Sequence, residues 1–165
     1  MRVRTTSGQH PDQIVAAIRR TVARWRGDPR TRILASACLA PFAPRRPRDN
    51  LGAWIPDALH AWTQTIAHTR EPAGPGAAGE IVQSPPLTVA LRSGDCDDIA
   101  AAVATFGAAY GHRISVGWYT TGPGFAHVIA AISADSYRPQ AALLAIDPDQ
   151  RIGPTPPPRA RWFDL

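Results

Sequence analysis

The sequence predicts an α+β domain, with a mainly helical first part and a small antiparallel sheet near the end. Three observations carry that reading. Apolar residues recur at three- and four-residue spacing from Ile14 to Trp25 and again from Leu51 to Ile66, the period of a helix with one buried face. From Arg113 to Asp147 they alternate every second residue, as half-buried strands do. Between these regions, Ser93-Gly94-Asp95-Cys96-Asp97-Asp98 runs straight into the apolar segment Ile99 to Tyr110, a capped helix start. A chain of 165 residues is expected to form a single domain over 1–165, and at that size it can bury ~70% of its unfolded surface. Within it we distinguish a basic helical part (1–48), a core (51–148) and a Pro-rich tail (149–165).

Taken in order, Met1 to His10 reads as a loose arm. Pro11 suits the first turn of a helix. Ile14, Val15, Ile18, Val22 and Trp25 share one face of it, with Arg19, Arg20, Arg24 and Arg26 mostly on the others. Gly27-Asp28-Pro29 ends it. A second helix is expected over Thr31 to Leu39, where Cys38 reads as a small buried residue. Pro41 to Pro47 breaks the pattern, and Arg45, Arg46 and Arg48 lie there. A third helix is expected over Leu51 to His68, with Pro56 in its first turn or kinking it; His60 and His68 belong to its surface. Glu71 to Gly79 is a Pro/Gly/Ala loop, long enough to flank a site. The fourth helix begins at Cys96 and places Ile99, Val103, Phe106 and Tyr110 on one stripe, with Gly111 as its C-terminal cap. Arg113 to Tyr119 is a strand, Gly122-Pro123-Gly124 a turn and Phe125 to Ile132 a second strand carrying Phe125, His127 and Ile129 on one face. Ala141 to Asp147 is the last, with Leu143, Ala145 and Asp147 together. Gly153 to Pro158 should be extended, and Trp162-Phe163 should dock on the body.

Charge is distributed unevenly. All 18 basic residues are Arg. Residues 1–48 hold 11 Arg against Asp12 and Asp28, a net +9, whereas the remainder holds 7 Arg against 11 acids, a net −4. Such asymmetry fits a polyanion-facing surface, with DNA, an acidic cell-wall polymer or an acidic protein as candidates, but a solvated helix face is the commoner meaning of such a charge run. No apolar run approaches the ~18 residues of a membrane span, so no membrane partner is expected. The N-terminus lacks the apolar core of a secretory signal, which points to a protein kept in the cytoplasm or packaged into a particle assembled there. Two cysteines, Cys38 and Cys96, make no disulfide framework.

The residues that carry chemistry are Cys96 at a helix start, His127 in one strand and Asp147 at the end of the next. A thiolate attacks an acyl carbon, an imidazole moves protons, and a carboxylate holds the imidazole in its useful tautomer. A helix N-terminus favours the thiolate, and the Cys backbone N–H can serve an oxyanion hole. His127 and Asp147 can meet if their strands are antiparallel neighbours. Asp95, Asp97 and Asp98 read as caps and first-turn residues, and their charges would raise the Cys96 pKa against the helix effect. The same acids, with His127 and Asp147, permit a divalent-cation reading, but zinc-type spacing is missing; neither a metal nor another cofactor is expected. Ser93 lacks the surroundings of a serine nucleophile.

The ordered set Gly94-Asp95-Cys96-Asp97-Asp98, Phe125-Ala126-His127 and Ala145-Ile146-Asp147-Pro148 resembles the transglutaminase-like superfamily of papain-related cysteine enzymes. It is most similar to short phage and prophage proteins with a Gly-Asp-Cys-Asp-Asp motif, whose segment before the Cys resembles Ile81-Val82-Gln83-Ser84-Pro85. The resemblance covers roughly Leu51 to Pro148; Val128 and Ile129 stand where such proteins often carry an aromatic. It implies a papain-like core with Cys96 as nucleophile, His127 as base and Asp147 as orienting residue. Gln83 would be an oxyanion-hole donor, or else make a loop hydrogen bond. The implied activity is thiol-dependent acyl transfer, chiefly hydrolysis of an amide in a peptide, protein or peptidoglycan-type substrate. The alternative is a non-catalytic structural or assembly component of a phage-like particle, contacting phage structural proteins and associated with the virion.

Overall fold

The computed structural model describes residues 3–4, 11–44, 53–69, 81–122, 125–136, 142–146 and 160–165. The fold is α+β: helices collect in the first two-thirds and a four-stranded antiparallel sheet in the last third. A short strand β1 (Val3–Arg4) precedes helix α1 (Pro11–Trp25). The stripe expected of α1 is its buried face, including Ile14, Val15, Ile18 and Val22, while Arg19, Arg20, Arg24 and Arg26 are exposed. Helix α2 (Pro29–Leu39) starts two residues earlier than Thr31, because Asp28 caps it: its carboxylate accepts from Arg30 N at 2.9 Å, with Pro29 in the first turn. A 3-10 turn (Ala40–Phe42) closes this part.

Helix α3 (Ile55–Thr63) is shorter than the expected Leu51 to His68. Pro56 does sit in its first turn. The helix stops because hydroxyls of Thr63 and Thr65 take the carbonyls of His60 and Trp62 (2.7 and 2.8 Å), the local competition that unsettles helices rich in Thr. Ile66 stays buried from the turn that follows. His68 falls in strand β2 (Ala67–His68). Strand β3 (Ile81–Val82) pairs antiparallel with β1. Helix α4 (Pro85–Leu91) was not expected: Pro85 and Pro86 fill its first turn, where no donor is missed. Its C-cap, Arg92, is left-handed (φ 50°). The chain then enters strand β4 (Ser93–Gly94), parallel to β2.

Helix α5 (Cys96–Ala109) is the centre of the molecule. Every residue from Asp97 to Gly107 is buried, because α5 contacts α1, α2, α3 and α4 as well as the sheet. Gly111 follows it at φ 82°, the left-handed cap expected there. The sheet consists of β5 (Ile114–Gly122), β6 (Phe125–Ser133), β7 (Leu143–Ile146) and β8 (Arg161–Asp164), in the order β7-β6-β5-β8. Trp162 and Phe163 dock as part of this edge strand. Gly117 permits it: a Cβ there would lie 2.8 Å from the Trp162 ring and 2.9 Å from the Arg161 carbonyl. The outer side is tied to α1, with Arg161 paired to Asp12 at 3.2 Å, Trp118 Nε1 donating to Asp12 at 3.1 Å and Arg19 donating to the Asp164 carbonyl at 2.6 Å.

Candidate active site around the start of the central helix

Cys96 occupies the first position of α5 and is half-buried. A capping box fixes the turn around it: the Asp95 carboxylate accepts from Asp98 N at 3.3 Å, and the Asp98 carboxylate accepts from Asp95 N at 3.4 Å. Together these satisfy two donors that the first turn leaves open. Asp98 folds back so closely that a Cβ on Gly94 would come within 2.8 Å of Asp98 Cβ. The glycine of the motif is thus a packing requirement of the aspartate four residues on. The chain entering the helix is held by the β2–β4 ladder, with Ala67 pairing Ser93 and His68 pairing Gly94. Thr69 N also donates to the Gly94 carbonyl at 3.0 Å.

Asp98 has a second task that the sequence does not reveal. Its two oxygens accept from Gln83, the backbone N at 2.6 Å and Nε2 at 2.5 Å. That clamp pins the segment between β3 and α4 against the helix start. Burial, then the nearby Asp95 charge, pushes the Asp98 carboxyl up to about 7, against the lowering effect of the Gln83 and Asp95 donors. Gln83 Oε1 is buried without a partner. One of the two N–H groups on Nε2 is already spent on Asp98, so a role as oxyanion donor falls to the other.

His127 lies in β6 opposite Tyr119, their rings meeting edge to face at 5.3 Å. Strand alternation fixes which side it occupies. A Cβ on Gly107 of α5 would touch Ile114 at 2.8 Å and Ile132 at 3.1 Å, so α5 covers the face that carries Ile114, Val116, Val128, Ala130 and Ile132. These belong to one buried cluster with the α5 side chains. His127 shares the other face with Tyr119 and Ile129. Measured from the Gly107–Ile132 approach, Cys96 lies eleven residues away along the helix, ~16 Å, and His127 five residues away along the strand, ~16 Å. β7 is antiparallel to β6, as expected, and its described rungs stop at Ala130. His127 therefore lies beyond the last described rung of that edge. Asp147 lies outside the described residues, as does the turn at Pro123-Gly124.

The carboxylates of Asp95, Asp97 and Asp98 each offer an oxygen within 4.8 Å of the others, close enough to share a cation. Asp97 and Asp98 are buried and Asp95 is half-buried. Cys38, the other thiol, is half-buried, and burial pushes its pKa up. No helix among the described residues is long and apolar enough to cross a membrane. No protein-family model matches the chain, and no curated protein matches it.

Proposed function

We propose that the protein performs thiol-dependent acyl transfer, chiefly amide hydrolysis, on a papain/transglutaminase-like core. Cys96 attacks the carbonyl carbon, and the thioester forms as the C–N bond breaks. His127 takes the thiol proton and returns it to the departing amine. Asp147 orients His127, and water then releases the acid. A peptide, protein or peptidoglycan-type amide is the substrate class, in a phage or prophage setting. The observation that carries this reading is the position of Cys96. It opens a buried helix of 14 residues, on a turn braced by the Asp95–Asp98 capping box and the Asp98–Gln83 clamp. A helix N-terminus favours an anion at its first residue, and such bracing keeps a nucleophile in one geometry.

A second reading has an observation of its own. His127 sits with Tyr119 on the face turned away from α5, as it would in a particle component that uses the same fold without catalysis. One experiment separates the two. Iodoacetamide labelling is followed at pH 6.5 for the native protein and for His127→Ala. Catalysis requires Cys96 to react well before Cys38, since an ordinary thiol of pKa ~8.5 is almost wholly protonated there. It also requires His127→Ala to slow Cys96 by about tenfold with the melting temperature unchanged. Slow and equal labelling of both thiols rejects the catalytic reading. Fast labelling indifferent to His127 removes that residue as the base.

A further inference from the structure

Helices α2 and α4 wall a trough that the acyl-transfer chemistry does not use. One half, about 460 Å³, is lined by Trp25, Thr31, Ile33, Leu34, Ala37 and Pro86, with the exposed Arg30 beside them. The other, about 370 Å³, is lined by residues including Cys38, Phe42, Trp62, Ile66 and Val89, with Arg92 at its rim. Ala37 lines both halves, so they adjoin along α2. From Arg30 to Phe42 the trough follows twelve residues of chain, ~18 Å at the helical rise. The large apolar residues most exposed among the described ones are Ile33 (70%) and Leu91 (51%), one on each walling helix.

Arg26, Arg30 and Arg92 are exposed; Arg30 is paired to Asp28 at 2.6 Å, which leaves Arg26, next to the lining Trp25, and Arg92 as the cations an occupant can meet. Arg24 lies over the Trp25 ring at 5.8 Å. A phosphodiester chain would satisfy these cations and leave Ile33 and the apolar floor wet. A flat anionic bilayer would not fill a trough. An occupant must bring apolar side chains in a row about three helical turns long, flanked by carboxylates.

We infer that the α2–α4 trough binds an acidic amphipathic helix of a partner protein. Its leucine-type residues at i, i+3, i+4 and i+7 fill the two halves, and its Glu or Asp side chains meet Arg26 and Arg92. This is recognition of a helix in a groove, with the exposed Ile33 as anchor and the cations setting orientation. The site stands apart from Cys96, so it holds whether or not the thiol chemistry does.

The probe is a fluorescent 14-residue peptide with leucines at that spacing and glutamates elsewhere, titrated into the full chain. A peptide of the same composition, scrambled to break the periodicity, serves as control, with duplex DNA and phosphatidylserine vesicles as competitors. The periodic peptide should bind at least about tenfold more tightly than the scrambled one. Ile33→Asp and Ala37→Trp, both at exposed positions, should each weaken it by about tenfold at unchanged helicity, the loss typical of a buried anchor. Arg26→Glu should weaken it most at low salt. Equal binding of both peptides would reduce the site to a generic cationic surface and overturn the inference. So would displacement by DNA or vesicles at lower concentration than by the peptide, or binding indifferent to both Ile33→Asp and Ala37→Trp.

Discussion

Asp98 joins three functions in one side chain: it closes the capping box, clamps Gln83 and dictates glycine at position 94. Its raised pKa makes the cost of that arrangement measurable. Unfolded, the carboxyl ionises near ~3.9; folded, it does so at about 7. Below pH ~4 it is protonated in both states and has no effect. Between ~4 and 7 the folded state holds a proton that the unfolded state has lost, so stability falls as pH rises. Above 7 the full cost is present, a few kcal/mol at most at ~1.4 kcal/mol per pH unit. Asp98→Asn keeps an acceptor for Gln83 N and gives Gln83 Oε1 a donor. The melting temperature of the native protein should decline from pH 5 to 8, and that of Asp98→Asn should stay flatter and lie above it at pH 8. Parallel profiles would show that Asp98 is not the group responsible. The turn itself was legible in the sequence, since Asp-x-x-Asp before an apolar run is a capping pattern. The clamp was not, because residue 83 is fifteen positions away and nothing local marks it.

Among the elements, periodicity located those that bury one face: α1, α2, the body of α3, α5, β5, β6 and β7. It failed where local chemistry outweighed it. The stripe of α3 runs on to Ile66, but threonine hydroxyls end the helix at Thr63. At α4, two prolines that usually mark a break begin a helix. The two-residue ladders β1–β3 and β2–β4 are too short to show any period. Strand β8 carries the prediction at this scale. It depends on position 117 having no side chain, with the Trp162 ring filling the space. Gly117→Val should cost about 1–3 kcal/mol, as overpacking of a tight contact does. It should also release β8 while leaving the β5–β6 hairpin paired. Amide exchange reads this directly: the rungs between 115–118 and 161–164 should lose protection, and those between 114–120 and 126–132 should keep it. Uniform loss across the sheet would mean that β8 is not a separate unit.

Across the whole molecule, the basic first part and the acidic remainder, +9 and −4 by sequence, meet along an interface rather than forming two lobes. Asp12 of α1 pairs with Arg161, and Arg19 reaches the Asp164 carbonyl and the Phe163 ring. Part of the Arg excess is therefore spent holding the last strand to the first long helix. The exposed remainder, with Arg20 and Arg26 in it, is left for solvent or a partner. Composition shows the imbalance but cannot say which arginines bind the last strand, because that depends on where the C-terminal strand returns.

The burial of α5 on all sides has a kinetic consequence. Helices α1 to α4 and strands β5 and β6 all rest on it, so a chain in which α5 has not formed has little for any other element to condense upon. The protein should fold late and all at once, with α5 and the β5–β6 hairpin as its nucleus. Ala101→Gly and Ala104→Gly, both fully buried mid-helix, should each remove about 1 kcal/mol of helix propensity. That loss should appear mainly as slower refolding. A matched loss in α2, from Ala35→Gly, should appear mainly as faster unfolding. The helix that presents Cys96 would then be the first part of the chain to commit and the last to let go.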